Sequence, residues 1–149
     1  TECAGVELQD FITEAVFINP YDRSVGDWSY GFNFRHEKSN NQYRLFVTSE
    51  EKWYLFNVTS DPKEFNELDS GEVALHSGEG RQNRLRLIVY RELGYLYVND
   101  RQIATLDLSE RRNYGDVCAV AGFTREDEEA GAGYNVGFEE FQVWSLAPR

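Results

Sequence analysis

Methionine is missing from this 149-residue chain, while histidine and cysteine each occur twice and proline three times. Each scarcity excludes some chemistry. His36 and His76 stand alone in the sequence, so a three-histidine zinc site is impossible, and Cys3 and Cys118 are not at metal-ligand spacing. No stretch approaches the roughly 20 apolar residues a membrane-spanning helix requires, so membrane insertion of this domain is not expected. Basic residues are also short, 15 against 26 acidic, and the formal charge of -11 would repel a phosphate backbone. Nucleic acid and anionic membranes are therefore excluded as expected partners. The chain opens at Thr1 with neither Met nor an apolar leader, as a processed chain or an excised domain would.

Aromatic residues are abundant: 3 Trp, 9 Tyr and 10 Phe, side chains that suit a pleated, half-buried surface. Their spacing agrees, for Trp28, Tyr30, Phe32 and Phe34 fall on one face of an extended segment and Ser29, Gly31, Asn33 and Arg35 on the other. The same period of two predicts strands at Phe11–Ile18, Tyr43–Thr48, Trp53–Val58, Glu72–His76, Asn83–Arg91, Tyr95–Asn99, Gln102–Leu108, Val117–Phe123 and Val136–Leu146. Glu92-Leu93-Gly94 and Asn99-Asp100-Arg101 read as hairpin turns between such runs. Only Asp61–Leu68 and Ser109–Arg112 could be helical, each at most about two turns. Short strands joined by turns, with no crossover helices, predict an all-β, two-sheet antiparallel jelly-roll sandwich, one domain over residues 1–149.

The cysteines admit two readings. Bonded, Cys3 and Cys118 would close a loop of more than 100 residues and imply an oxidising compartment. Unbonded, Cys118 between Val117 and Ala119 would be a buried thiol and Cys3 a frayed terminal one. Asn57-Val58-Thr59 is a glycosylation sequon of the kind that also arises by chance.

Three segments carry a wider likeness: Phe17-Ile18-Asn19-Pro20-Tyr21 leading to Trp28 through Arg35; Asn83 to Asn99, ending Tyr95-Leu96-Tyr97-Val98-Asn99; and Phe138 to Leu146. Together they resemble the concanavalin A-like lectin/glucanase superfamily, and within it the laminin G-like and 3-keto-disaccharide hydrolase-like domains of bacterial extracytoplasmic proteins. The resemblance implies a jelly-roll sandwich whose concave sheet often binds glycans, sometimes with calcium, and which in a minority of relatives cleaves them. Its motifs are strand and turn patterns, so no catalytic residues are carried over.

Within that resemblance Glu67-Leu68-Asp69-Ser70-Gly71-Glu72 has the Glu-x-Asp-x-x-Glu spacing of laminarinase-type glucanases. Ser70-Gly71 reads as a turn, which would splay the three carboxylates apart instead of holding the outer pair, Glu67 and Glu72, at the roughly 5 Å that a retaining mechanism needs. The acidic run Glu126-Asp127-Glu128-Glu129 offers calcium its oxygen ligands, but consecutive acids seldom converge on one ion, and a solvated loop is the competing reading. His76 beside Ser77 lacks a Gly-x-Ser-x-Gly elbow, and Gly131-Ala132-Gly133 lacks the strand-then-helix setting of a phosphate loop. No cofactor is expected, calcium being the one that remains open.

The expected binding surface is the polar face opposite the core: Asn33, Arg35, Arg44, Arg84, Arg86 and Tyr90, with the Tyr54 ring able to stack on a sugar. Against this stands the ordinary role of surface arginines as solubilising partners of acids. The sequence thus points to a non-catalytic recognition module, secreted or part of an ectodomain, extracellular or periplasmic, that takes a glycan or a protein surface. A glycan-cleaving enzyme of the same superfamily and a structural or sensor ectodomain are the alternatives.

Overall fold

The computed structural model describes residues 1–122 and 137–146, which form two antiparallel sheets. In chain order the strands are β1 Glu2–Cys3, β2 Phe11–Ile18, β3 Ser29–His36, β4 Gln42–Thr48, β5 Lys52–Ser60, β6 Lys63–Glu72, β7 Gln82–Tyr90, β8 Leu93–Val98, β9 Arg101–Asp107, β10 Asp116–Ala121 and β11 Gly137–Ser145. One sheet runs β1-β10-β3-β4-β5-β6 and the other β11-β2-β7-β8-β9. The architecture is the two-sheet jelly-roll sandwich expected from the alternation.

Period two explains the core. Tyr30, Phe32 and Phe34 of β3 and Tyr43, Leu45 and Val47 of β4 point inward from the six-stranded sheet. Phe11, Ala15 and Phe17 of β2 and Leu85, Leu87 and Val89 of β7 meet them from the five-stranded one. Phe17 and Tyr30 stack across the interface with centroids 4.7 Å apart. Each fully buried Leu or Phe contributes roughly 1.5–3 kcal/mol, so these facing rows supply most of the drive to close the sandwich. The Tyr30 hydroxyl stays satisfied at depth, donating to Asn19 Oδ1 at 2.7 Å and accepting from Asn83 Nδ2 at 2.8 Å. Burial pushes its pKa well above the usual tyrosine range, the hydrogen bond from Asn83 offsetting only part of that.

Several expectations fail locally. Asp61–Leu68 is no helix: Ser60 pairs with Lys63 across the β5–β6 turn, and residues from Lys63 onward pair with β5, because Phe65 and Leu68, three apart, only imitate a helical stripe. Ser109–Arg112 is turn and irregular backbone. Ser70-Gly71 lies inside β6 and makes no turn; a Cβ at Gly71 would sit 2.6 Å from Trp53 Nε1, so the glycine lets that indole lie against the strand. Glu72–His76 is not a strand beyond Glu72. Val73 and Leu75 still fill the core, but their amides bond to the Glu51 carbonyl and the Glu51 carboxylate.

Cys3 lies directly opposite Cys118 where β1 pairs with β10, and the two are joined by a disulfide. The free-thiol reading is thereby replaced.

Candidate functional site

Turning Tyr43, Leu45 and Val47 inward sends Gln42, Arg44 and Phe46 to the outer face of the six-stranded sheet. Register then places Phe46 opposite Tyr54 and Arg44 opposite Phe56. Three half-buried rings gather there: Phe46 to Tyr54 at 5.5 Å, Phe46 to Phe56 at 5.6 Å and Tyr54 to Phe56 at 6.1 Å between centroids. On β3 beside them Asn33 Oδ1 accepts from Arg44 Nε at 3.3 Å. Stacked aromatics with a fixed guanidinium–amide pair at their border combine a dispersion surface with directed polar groups, the usual ingredients of a small-molecule site.

At the margin of this face, where β5 turns into β6, Phe65 is 51% exposed. Arg44 Cζ and Lys63 Nζ each lie 5.7 Å from its ring centroid. These three side chains, with Gln42, Val58 and Ser60, line a hollow of about 360 Å³. Gln42 is only 5% exposed, and its Oε1 has no hydrogen-bond partner among the described residues. Burial draws the Arg44 pKa below its ordinary value.

The expected site residues divide among three places. Asn33, Arg44 and Tyr54 share the outer face just described. Arg35 does not: its backbone adopts a φ of 49°, which breaks the alternation and turns the side chain into the interior, where it is fully buried. Arg84, Arg86 and Tyr90 occupy the outer face of the other sheet, on β7.

On that second face Arg86 Nε bonds to Glu14 Oε2 at 2.7 Å, Arg84 pairs with the other Glu14 oxygen, and Arg84 also reaches Glu140 at 3.1 Å. Tyr90 carries the Arg91 guanidinium over its ring at 5.0 Å. Burial alone would raise the Glu14 pKa, but hydrogen bonds from Arg86 and Arg84, and then their charges, outweigh it and hold the carboxyl below 4.5. A carboxyl with a depressed folded pKa adds stability above its unfolded pKa and loses it as pH falls through the folded value. Urea unfolding of the wild type should therefore weaken more steeply below about pH 4.5 than that of Glu14→Gln. The difference should be about 1 kcal/mol, since the arginines are half-exposed and screened. Parallel pH profiles for the two proteins would show that this network adds nothing.

The glucanase-like spacing lies along β6, and the strand carries a bulge: Leu55 opposes Asp69 and Phe56 opposes Glu67, leaving Leu68 extra. Glu67 and Glu72 consequently face outward, and Asp69 faces the sandwich rim beside Leu55, Asp107 and Glu110. The outer carboxylates are five residues apart on extended chain, on the order of 15 Å between Cα atoms. The triplet does not converge. Asn57 of the sequon faces inward, its Oδ1 accepting from Arg111 Nε and Nη2 at 3.3 and 3.1 Å.

Sequence spacing missed one grouping: Cys3, Cys118 and His36 bring potential ligand atoms within 4.8 Å of one another. Here both sulfurs are committed to the disulfide, which is not a thiolate donor. Glu126-Asp127-Glu128-Glu129, the calcium candidate, and Gly131-Ala132-Gly133 lie outside the described residues.

Comparison of the sequence with protein families and with curated proteins finds no match. The structure, by contrast, is similar to many solved ones. It superposes on the carbohydrate-binding module CBM66 of Bacillus subtilis with a TM-score of 0.63 at 15% identity, over 91% of this chain and 75% of that one. Sheep galectin-11, in a complex with glycerol, gives 0.64 at 7% identity over 90% and 89%. Aspergillus kawachii beta-fructofuranosidase gives 0.62 at 15% identity; 97% of this chain matches only 26% of that enzyme. The likeness is one of fold, a two-sheet antiparallel jelly-roll sandwich of the concanavalin A-like kind.

Proposed function

We propose that the chain is a carbohydrate-recognition module that binds without turnover through the outer face of its six-stranded sheet. The observation that carries this reading is the ring patch of Phe46, Tyr54 and Phe56 bordered by the Arg44–Asn33 pair. Sugar rings present C–H faces that pack on aromatic planes and hydroxyls that match amide and guanidinium donors. The fold is shared with proteins named as a carbohydrate-binding module and a galectin, which supports the reading further. The disulfide supports an oxidising, extracytoplasmic setting.

A glycan array followed by calorimetry tests the proposal. Specific binding is expected on the array, and Tyr54→Ala should weaken it about tenfold, near 1.4 kcal/mol for loss of a stacking ring. Tyr97→Ala, which removes a ring from the outer face of the other sheet, should leave it unchanged. A silent array, or equal loss in both variants, would overturn the reading.

A further inference from the structure

The hollow at the β5–β6 corner departs from the rest of the molecule in charge. The chain carries 26 acidic residues against 15 basic ones. Yet Arg44 and Lys63 line the hollow and, among the described residues, no carboxylate does. The two cations also flank one object, for each stands 5.7 Å from the centroid of the exposed Phe65 ring. An exposed apolar ring with two positive groups beside it suits a ligand with a flat hydrocarbon face and an exocyclic anion.

From this arrangement we infer that the hollow is a subsite for an acidic sugar, one bearing a carboxylate or a sulfate, and the inference rests on the carbohydrate reading above. The pyranose lies against the Phe65 side chain, and its anionic substituent reaches the Arg44 guanidinium and the Lys63 ammonium that line the same hollow. Burial strengthens the Arg44 contribution, since a guanidinium partly withdrawn from water attracts an anion through a lower effective dielectric. Gln42, whose Oε1 has no donor among the described residues, lines the same hollow. The net negative charge elsewhere repels anionic polymers that lack this local fit, so recognition is confined to the corner.

Calorimetry with paired ligands tests the subsite. The carboxylate arm compares an oligogalacturonate hexasaccharide with its methyl-esterified form, in which the backbone is the same and the charge is gone. The sulfate arm compares a carrageenan hexasaccharide with its desulfated counterpart. In at least one arm the acidic form should bind about tenfold tighter than its neutral partner, and that arm identifies the anion. Lys63→Glu, at the exposed first residue of β6, should bring the acid-to-neutral ratio to one or below, and Phe65→Ser should weaken the preferred ligand about tenfold. Ratios near one in both arms for the wild type, or a preference that survives Lys63→Glu, would overturn the subsite. If the array still finds a glycan whose binding depends on Tyr54, recognition stands and only the subsite falls; a silent array ends both.

Discussion

Replacing both Cys3 and Cys118 by serine is expected to remove about 3–5 kcal/mol from the free energy of unfolding, the largest effect anticipated for this protein. The bond joins residues 115 apart in sequence. A crosslink over such a span restricts the unfolded chain most strongly, and the chain-entropy model gives about 4.7 kcal/mol for a loop of about 100 residues. The folded side has little to replace it. β1 is only two residues long, and beyond it the N-terminal segment is tied by Ala4 N to the Val117 carbonyl, by Gly5 N and Val6 N to Asp116 Oδ1, and by the reciprocal Leu8–Gly115 backbone pair. Urea unfolding of the oxidised wild type and the double variant should separate the midpoints by about 2 M, for a slope near 2 kcal/mol per molar. Midpoints within about 0.5 M would show that the denatured chain is already compact enough to make the constraint redundant.

Arg35→Met should come next, at about 3–5 kcal/mol. The guanidinium is fully enclosed and has four backbone carbonyls around it: Gln9 at 3.2 and 3.3 Å from Nη2 and Nε, Arg111 at 2.5 Å, Leu108 at 3.3 Å, and Arg91. Those acceptors come from the approach to β2, the β7–β8 turn and the loop after β9, so one side chain of β3 fastens three loops at one end of the sandwich. Methionine has comparable length and no donors, and it leaves the carbonyls buried and unpaired, the costly half of the asymmetry between making and breaking buried polar contacts. Arg35→Lys should recover only part of the loss, because a single ammonium with three protons cannot span opposite walls of the pocket. Equilibrium unfolding of the three proteins decides the matter. Arg35→Met within about 1 kcal/mol of wild type would mean that water reaches those carbonyls.

Arg35 also shows where reading the sequence stops. Alternation located Tyr30, Phe32 and Phe34 correctly because an extended backbone sends every second side chain to the same side. It assigned Arg35 to the wet face by the same rule, and the φ of 49° at that residue cancels it. Nothing in Phe34-Arg35-His36 announces such a twist, since glycine would be the ordinary signal. Pairing is non-local as well: β3 and β7 alternate identically, yet belong to different sheets, so Arg84 and Arg86 were grouped with Asn33 and Arg44 when they sit on another surface. Phe46 and Phe56 were overlooked because both sit among apolar residues, Leu45-Phe46-Val47 and Leu55-Phe56. A run of three apolar residues in a strand must turn one of them outward, and that was the available clue. Phe65 was hidden by its placement in a false helix. Gln42 and Lys63 owe their significance to the β5–β6 hairpin, and composition carries no trace of it.

Among the described residues β6 has a neighbour on one side only, and Glu64, Glu67, Asp69 and Glu72 stud it. Charged groups on an open strand discourage other chains from adding to the sheet. The hollow beside Phe65 is lined from β4, β5 and this outermost strand. For a saccharide bound there, a long polymer can cross the rim and run on into solvent.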